Sequence, residues 1–201
     1  MQDTLLVSLS SQKALQRRLD TIAGNIANVN TVGFRSTEVK FKEIIGNTGV
    51  QKTSFVNEGK NYLNTNSGGL TQTQNELDFA VKGDAWFSVE GPAGPMLTKD
   101  GRFTTTTTGE LVTINGFPVL DPAGGPININ SALGPVTVSG DGTINQNGQP
   151  VGSLGIFEAD ISGGYQRVTE LGIITTIPPV PVVDRVDVGV VQGYIENSNV
   201  N

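Results

Sequence analysis

The sequence predicts a mainly β protein, an irregular body of many hairpins, preceded by a single N-terminal α-helix. Three observations carry this. Leu15, Leu19, Ile22, Ile26 and Val29 are spaced 4, 3, 4 and 3, the a/d rhythm of a helix that packs against another helix. The 26 glycines and 10 prolines, with long stretches of Thr, Val and Asn, indicate short strands divided by frequent turns. Asp-Gly and Asn-Gly pairs at Asp100-Gly101, Asn115-Gly116 and Asn147-Gly148 sit between apolar runs, a strong local sign of hairpins.

The helix is expected over residues 1–30. Run backwards, its seam passes through Gln12 and Ser8 to Leu5, so it weakens towards the N-terminus, where Leu5 and Leu9 complete the apolar set. Asn28 and Asn30 carry side chains able to bond backbone groups orphaned at a helix end. Gly33 offers the positive φ that reverses the chain, and Phe34 can pin the turn. Residues 1–34 are therefore expected as one assembly helix with its cap. Lys13, Arg17 and Arg18 fall on the flank of the seam, a place for solvated or interhelical ion pairs.

Val39, Phe41 and Ile45 fit either strand alternation or a short helical turn. From Gly46 to Glu76 the chain is polar, with few apolar anchors. Residues 35–76 are expected as an extended connector, because a structureless run of this length is unusual inside a compact domain. The β body is expected over 77–195, and 196–201 as the start of a return. Asp78–Lys82 and Ala85–Glu90 read as strands. Leu97 to Phe103 reads as a hairpin turning at Asp100-Gly101. Glu110–Ile114 and Phe117–Leu120 flank Asn115-Gly116. That arrangement recurs around Asn147-Gly148, with Pro118 and Pro150 each opening the return strand. Further strands are expected at 154–157, 165–171, 173–177 and 186–191.

Composition limits the chemistry. At 201 residues, 36% of them hydrophobic, the chain can bury a core and supports one or two domains. The net charge of −6 and a pI near 4.6 argue against nucleic acid as a partner. Charge is uneven, with residues 1–60 carrying +3 and residues 61–201 carrying −9, which suggests two regions. Without cysteine or histidine, thiolate and imidazole metal sites, disulfides, Cys nucleophiles and Ser-His-Asp triads are excluded. No segment approaches the roughly 20 apolar residues of a membrane helix. The N-terminus lacks the pattern of a cleavable signal peptide, so any passage out of the cytoplasm is expected by another route. Asp78, Asp84, Asp100, Asp121 and Asp141 lie at turns or strand starts, where Asp caps its own backbone. No catalytic, cofactor or metal residues are assigned.

The order Ala23-Gly24-Asn25-Ile26-Ala27-Asn28-Val29-Asn30-Thr31-Val32-Gly33-Phe34 resembles the N-terminal signature of the bacterial flagellar axial family of rod, hook and hook-associated proteins. Leu77–Phe87 is similar to that family's L-D-x-A-I-x-G-x-G-F-F strand, with Ala85 in place of a glycine. Leu97–Phe103 is similar to its Y-T-R-D-G-x-F block, Gly109–Val112 to G-x-L-V, and Gly193–Val200 to G-x-x-E-x-S-N-V. The short β body favours a rod subunit over a hook subunit, nearest the proximal-rod members, with distal-rod members as close competitors.

The resemblance implies a helix belonging to a coiled-coil inner shell, whose C-terminal partner helix would follow Asn201 and is absent from this chain. It implies a hollow, self-assembling drive shaft in the basal body, crossing the periplasm and exported without a cleaved signal. Expected partners are other rod subunits, with hook and ring proteins beside them, and neither cofactor, membrane insertion, nucleic acid nor small-molecule substrate. The interface would comprise Leu5, Leu9, Leu15, Leu19, Ile22, Ile26, Asn28, Val29, Gly33 and Phe34. A secreted carbohydrate- or surface-binding β module is the alternative from another class, and the helix seam discriminates, since such a module has no need of it.

Overall fold

The computed structural model describes residues 2–40, 43–48, 51–56, 60–183 and 185–201, with side chains over 8–40, 60–130, 132–183 and 185–201. Phe41 and the side chain of Ile45 lie outside these, so the reading of Val39, Phe41 and Ile45 as one pattern is not decided. The chain divides into two units, one of residues 1–29, 35–64 and 200–201, the other of residues 30–34 and 65–199.

The first unit holds helix α1 (Gln2–Ala27) and four strands, β1 (Thr37–Lys40), β2 (Glu43–Thr48), β3 (Gln51–Val56) and β4 (Lys60–Leu63). β2 and β3 form a hairpin in register from Glu43↔Val56 to Thr48↔Gln51. β1 and β4 pair antiparallel from Thr37↔Leu63 to Lys40↔Lys60. The Glu38 carboxylate accepts from the Tyr62 hydroxyl and from Asn64 Nδ2 at 2.9 Å. That hydrogen bond holds the Tyr62 phenol above its usual pKa. Within 35–76, expected as an extended connector, the described residues hold β1 to β4 and a further strand at Leu70–Gln72. Polar strands in two-stranded ribbons are held chiefly by backbone bonds and carry little apolar alternation to read.

The second unit carries the β body. Its strands begin with β5 (Leu70–Gln72), β6 (Phe79–Lys82), β7 (Trp86–Gly91), β8 (Gly94–Thr98), β9 (Phe103–Thr105) and β10 (Leu111–Thr113). β11 (Val136–Val138), β12 (Thr143–Gln146), β13 (Gln149–Ser153), β14 (Ile156–Glu158) and β15 (Tyr165–Arg167) follow. The last are β16 (Gly172–Thr175), β17 (Val180–Pro181), β18 (Gly189–Gln192) and β19 (Tyr194–Glu196). The largest sheet runs β15, β16, β8, β7, β14, β17, and a smaller one β11, β12, β13. β6 pairs with β18 and β5 with β19, so the two ends of the body close on each other.

The core between these sheets is aromatic at its centre. Phe103 meets Phe87 edge-on at 5.3 Å between ring centroids and Phe79 at 5.8 Å. Leu111, Val119 and Ile144 are fully buried around them. Both Asn-Gly hairpins form: Thr113 N–H donates to Phe117 O at 2.8 Å across the first. In the second, Asn147 and Gly148 take φ of +50° and +73°, the turn whose twist suits a two-residue hairpin.

Asp100-Gly101 is not a hairpin turn. β8 pairs with β7 and β16, whereas β9 pairs with β10, so the pair links two sheets. Gly101 is required there by space: an added Cβ would lie 1.8 Å from Phe79 O, where the backbones meet through a Phe79 N–H bond to Gly101 O of 2.9 Å.

Candidate assembly interface

α1 forms because the run from Gln2 to Ala27 is free of proline and holds one glycine. Its burial is the reverse of an ordinary surface helix. Leu9, Leu15, Leu19, Ile22 and Ile26 are 43–65% exposed, and Val29 just beyond the helix is 44% exposed. The more covered positions are Ser10, Ser11, Ala14, Arg17, Thr21, Asn25 and Asn28, a small and polar stripe at the same helical spacing. The helix thus presents its polar stripe to its own unit and its apolar seam outward. Leu5 belongs to the seam by sequence, but its side chain lies outside the described residues.

The helix end is fixed by asparagine. Asn28 Nδ2 donates to Gly24 O at 2.9 Å, meeting one of the carbonyls left over where the helix stops. Asn25, given no separate role in the sequence reading, does more. Its Nδ2 donates to Thr37 O at 2.8 Å and its Oδ1 accepts from Thr37 N at 3.0 Å. One side chain thus ties the last turn of α1 to β1 as a neighbouring strand would.

Gly33 and Phe34, expected on the interface, are placed elsewhere. Phe34 is 3% exposed, its ring covered by the Arg167 guanidinium at 4.9 Å, and burial lowers the Arg167 pKa. Gly33 has φ of +72°, and a Cβ there would lie 2.3 Å from Asp100 N. Its N–H donates to Glu196 O at 2.7 Å. Both residues anchor the 30–34 segment inside the β body, while the seam residues themselves stay exposed.

This anchor joins three distant blocks. Lys99 and Glu196, each 1% exposed, approach to 3.7 Å between Nζ and Oε2. Lys99 Nζ also donates to Gly83 O at 3.2 Å and lies 5.5 Å from the Trp86 ring centroid. Glu196 Oε1 accepts from Gly68 N–H at 2.8 Å. Beside it the Asp100 carboxylate takes both Nε and Nη2 of Arg102, at 2.9 and 2.8 Å. The sequence reading missed this ion pair. Its signal was the placement of Lys99 and Glu196 within two of the motif blocks.

Two of the other carboxylates singled out by sequence, Asp121 and Asp141, accept from backbone N–H groups. Asp121 Oδ1 accepts from Ala123 N and Gly125 N, both at 2.8 Å. Asp141 accepts from Thr143 N and Oγ1 at 3.0 and 2.9 Å, which lowers its pKa. Among the described residues no helix is long and apolar enough to cross a membrane.

Two family models match the chain. One, described as "Flagella basal body rod protein", covers residues 5–35. The other, described as "Flagellar hook protein FlgE/F/G D1 domain", covers residues 80–146. The chain is 56% identical over 201 residues to the flagellar basal-body rod protein FlgF of Rhizobium meliloti (strain 1021), spanning 100% of this chain and 83% of that protein. Identity to the FlgF protein of Mesorhizobium japonicum is 50% with the same coverage. The flagellar basal-body rod protein FlgG of Bacillus subtilis (strain 168) is 32% identical over 185 residues, 82% of this chain and 70% of that one.

Proposed function

The chain belongs to the flagellar basal-body rod protein family, and from that premise we propose that it is a proximal-rod subunit that assembles through the α1 seam. It is a structural subunit of the flagellar basal body, and its partners are other flagellar axial subunits. The FlgF reading is favoured over the distal rod by identity, 56% against 32% for FlgG.

The observation that carries the assembly reading is the outward seam. A row of four exposed side chains, Leu15, Leu19, Ile22 and Ile26, on one helix face is removed from water only against another protein surface. Contacts repeated head to tail, without ring closure, build a helical filament. In this reading the helices form the stiff inner wall of a hollow shaft that crosses the periplasm and transmits torque, with the β bodies bracing it. Residues 1–29 serve as the assembly segment, with 30–34 anchored in the unit that holds the β body. No catalytic role is proposed.

Replacing Leu19 or Ile22 by Asp tests this. A carboxylate in the assembled seam loses its water without gaining a partner, a cost of several kcal/mol per site. The expected result is loss of motility and of rod assembly, with the protein still made and the β body melting at its parental temperature. A strain carrying Ile22→Asp that swims normally would overturn the reading.

A further inference from the structure

Among the described strands, β17 is the outer strand of the six-stranded sheet and pairs with β14 alone. Val182 N–H donates to Ile156 O at 2.9 Å, while Pro181 stands opposite Phe157 and Val180 opposite Glu158. Antiparallel ladders alternate, so Val180 and Val182 turn their backbone groups towards β14 and Pro181 turns its own outward. Pro179 shares that phase. The outward edge therefore carries carbonyl acceptors and, at both proline positions, no N–H donor. Its side chains are apolar and open: Val180 is 63% exposed, Val183 71% and Ile177 37%. An apolar edge with free donors is a template for a strand from another chain.

A second edge is closed by different means. In β11, the outer strand of the three-stranded sheet, Val136 N–H donates to Glu76 Oε2 at 3.2 Å and Val138 N–H to Gln192 Oε1 at 3.1 Å. Gln192 Nε2 in turn donates to Val136 O at 2.8 Å. Side chains occupy the groups that an added strand would use.

We propose that Pro179 and Pro181 close the apolar outer edge of the large sheet to strand addition by a second copy of this chain. The edge remains open to side-chain packing but refuses backbone pairing. This matters most where many copies are held close together, because a valine-rich edge then meets its own duplicate at high local concentration.

The test uses the full chain carrying Ile22→Asp, so that association through the helix seam does not enter. On that background Pro179→Val with Pro181→Val is compared with Pro178→Val, which removes a neighbouring proline of the opposite phase. The double variant is expected to form oligomers by light scattering and to bind thioflavin T at concentrations where the parent and Pro178→Val remain monomeric. Adding Val180→Lys and Val183→Lys to the double variant is expected to restore the monomer, since charge on the edge replaces the proline guard. A monomeric double variant would overturn the proposal. So would equal association of Pro178→Val, failure of the lysines to rescue, or association only after the native thermal transition is lost.

Discussion

Gly33 illustrates how much one residue carries. Its φ of +72° and the 2.3 Å approach of a hypothetical Cβ to Asp100 N act together, so Gly33→Ala combines backbone strain with a collision. The expected cost is about 2–4 kcal/mol of β-body stability, read by denaturant unfolding. The positive φ was legible in the motif; the collision was not, because it involves a segment 67 positions away in the chain. Lys99 and Glu196 give a second test. Lys99→Met or Glu196→Gln alone removes one side of a buried ion pair, and the Lys99→Met loss is expected at about 3–5 kcal/mol. Lys99→Met combined with Glu196→Leu is expected to recover much of that loss. Equal destabilisation by the single and double variants in the same denaturation series would count against the pair as described.

At the scale of elements, α1 is held to β1 by Asn25, whose amide makes two bonds to Thr37. Asn25→Ala is expected to cost about 1–3 kcal/mol locally and to speed exchange of the Thr37 amide, leaving amides of the β6–β18 ribbon as protected as before. The helix seam was readable because its period appears in five residues without reference to anything else. The β2–β3 hairpin was not readable, since its strands, Glu43–Thr48 and Gln51–Val56, lack clean alternation. Asp100-Gly101 shows the opposite error. Its local turn chemistry is that of a hairpin, yet the pair bridges two sheets, because Gly101 answers to the space left beside Phe79. Asn115-Gly116 and Asn147-Gly148 obey the same local rule correctly, each joining strands that belong side by side.

For the whole molecule, the absence of histidine sets the response to pH. No side chain has an unperturbed pKa between about 5 and 8, so melting temperature is expected to be level across that range. Asp141, Asp160 and Asp187 have pKa values lowered by hydrogen bonds from Thr143, Ser162 and Arg185. Their contribution is present above the unfolded value near 3.9 and fades as pH falls through the lower folded values. Because these groups are exposed, the decline below about pH 4 is expected to be shallow and to flatten further in salt. A melting step near pH 6 would contradict this. The closure of β5 on β19 and β6 on β18 has a consequence in time. Those ribbons join positions more than 100 residues apart, and ordering so long a loop precedes any contact that rewards it. Folding of the body is thus expected to be slow, in the range of milliseconds to seconds, and to wait on its final strands. A chain ending at Val188 is expected to lack a cooperative transition, since both ribbons lose a partner strand. Until residues 189–196 arrive the β body stays an open thread, and the arrival of β18 and β19 decides when it becomes a solid.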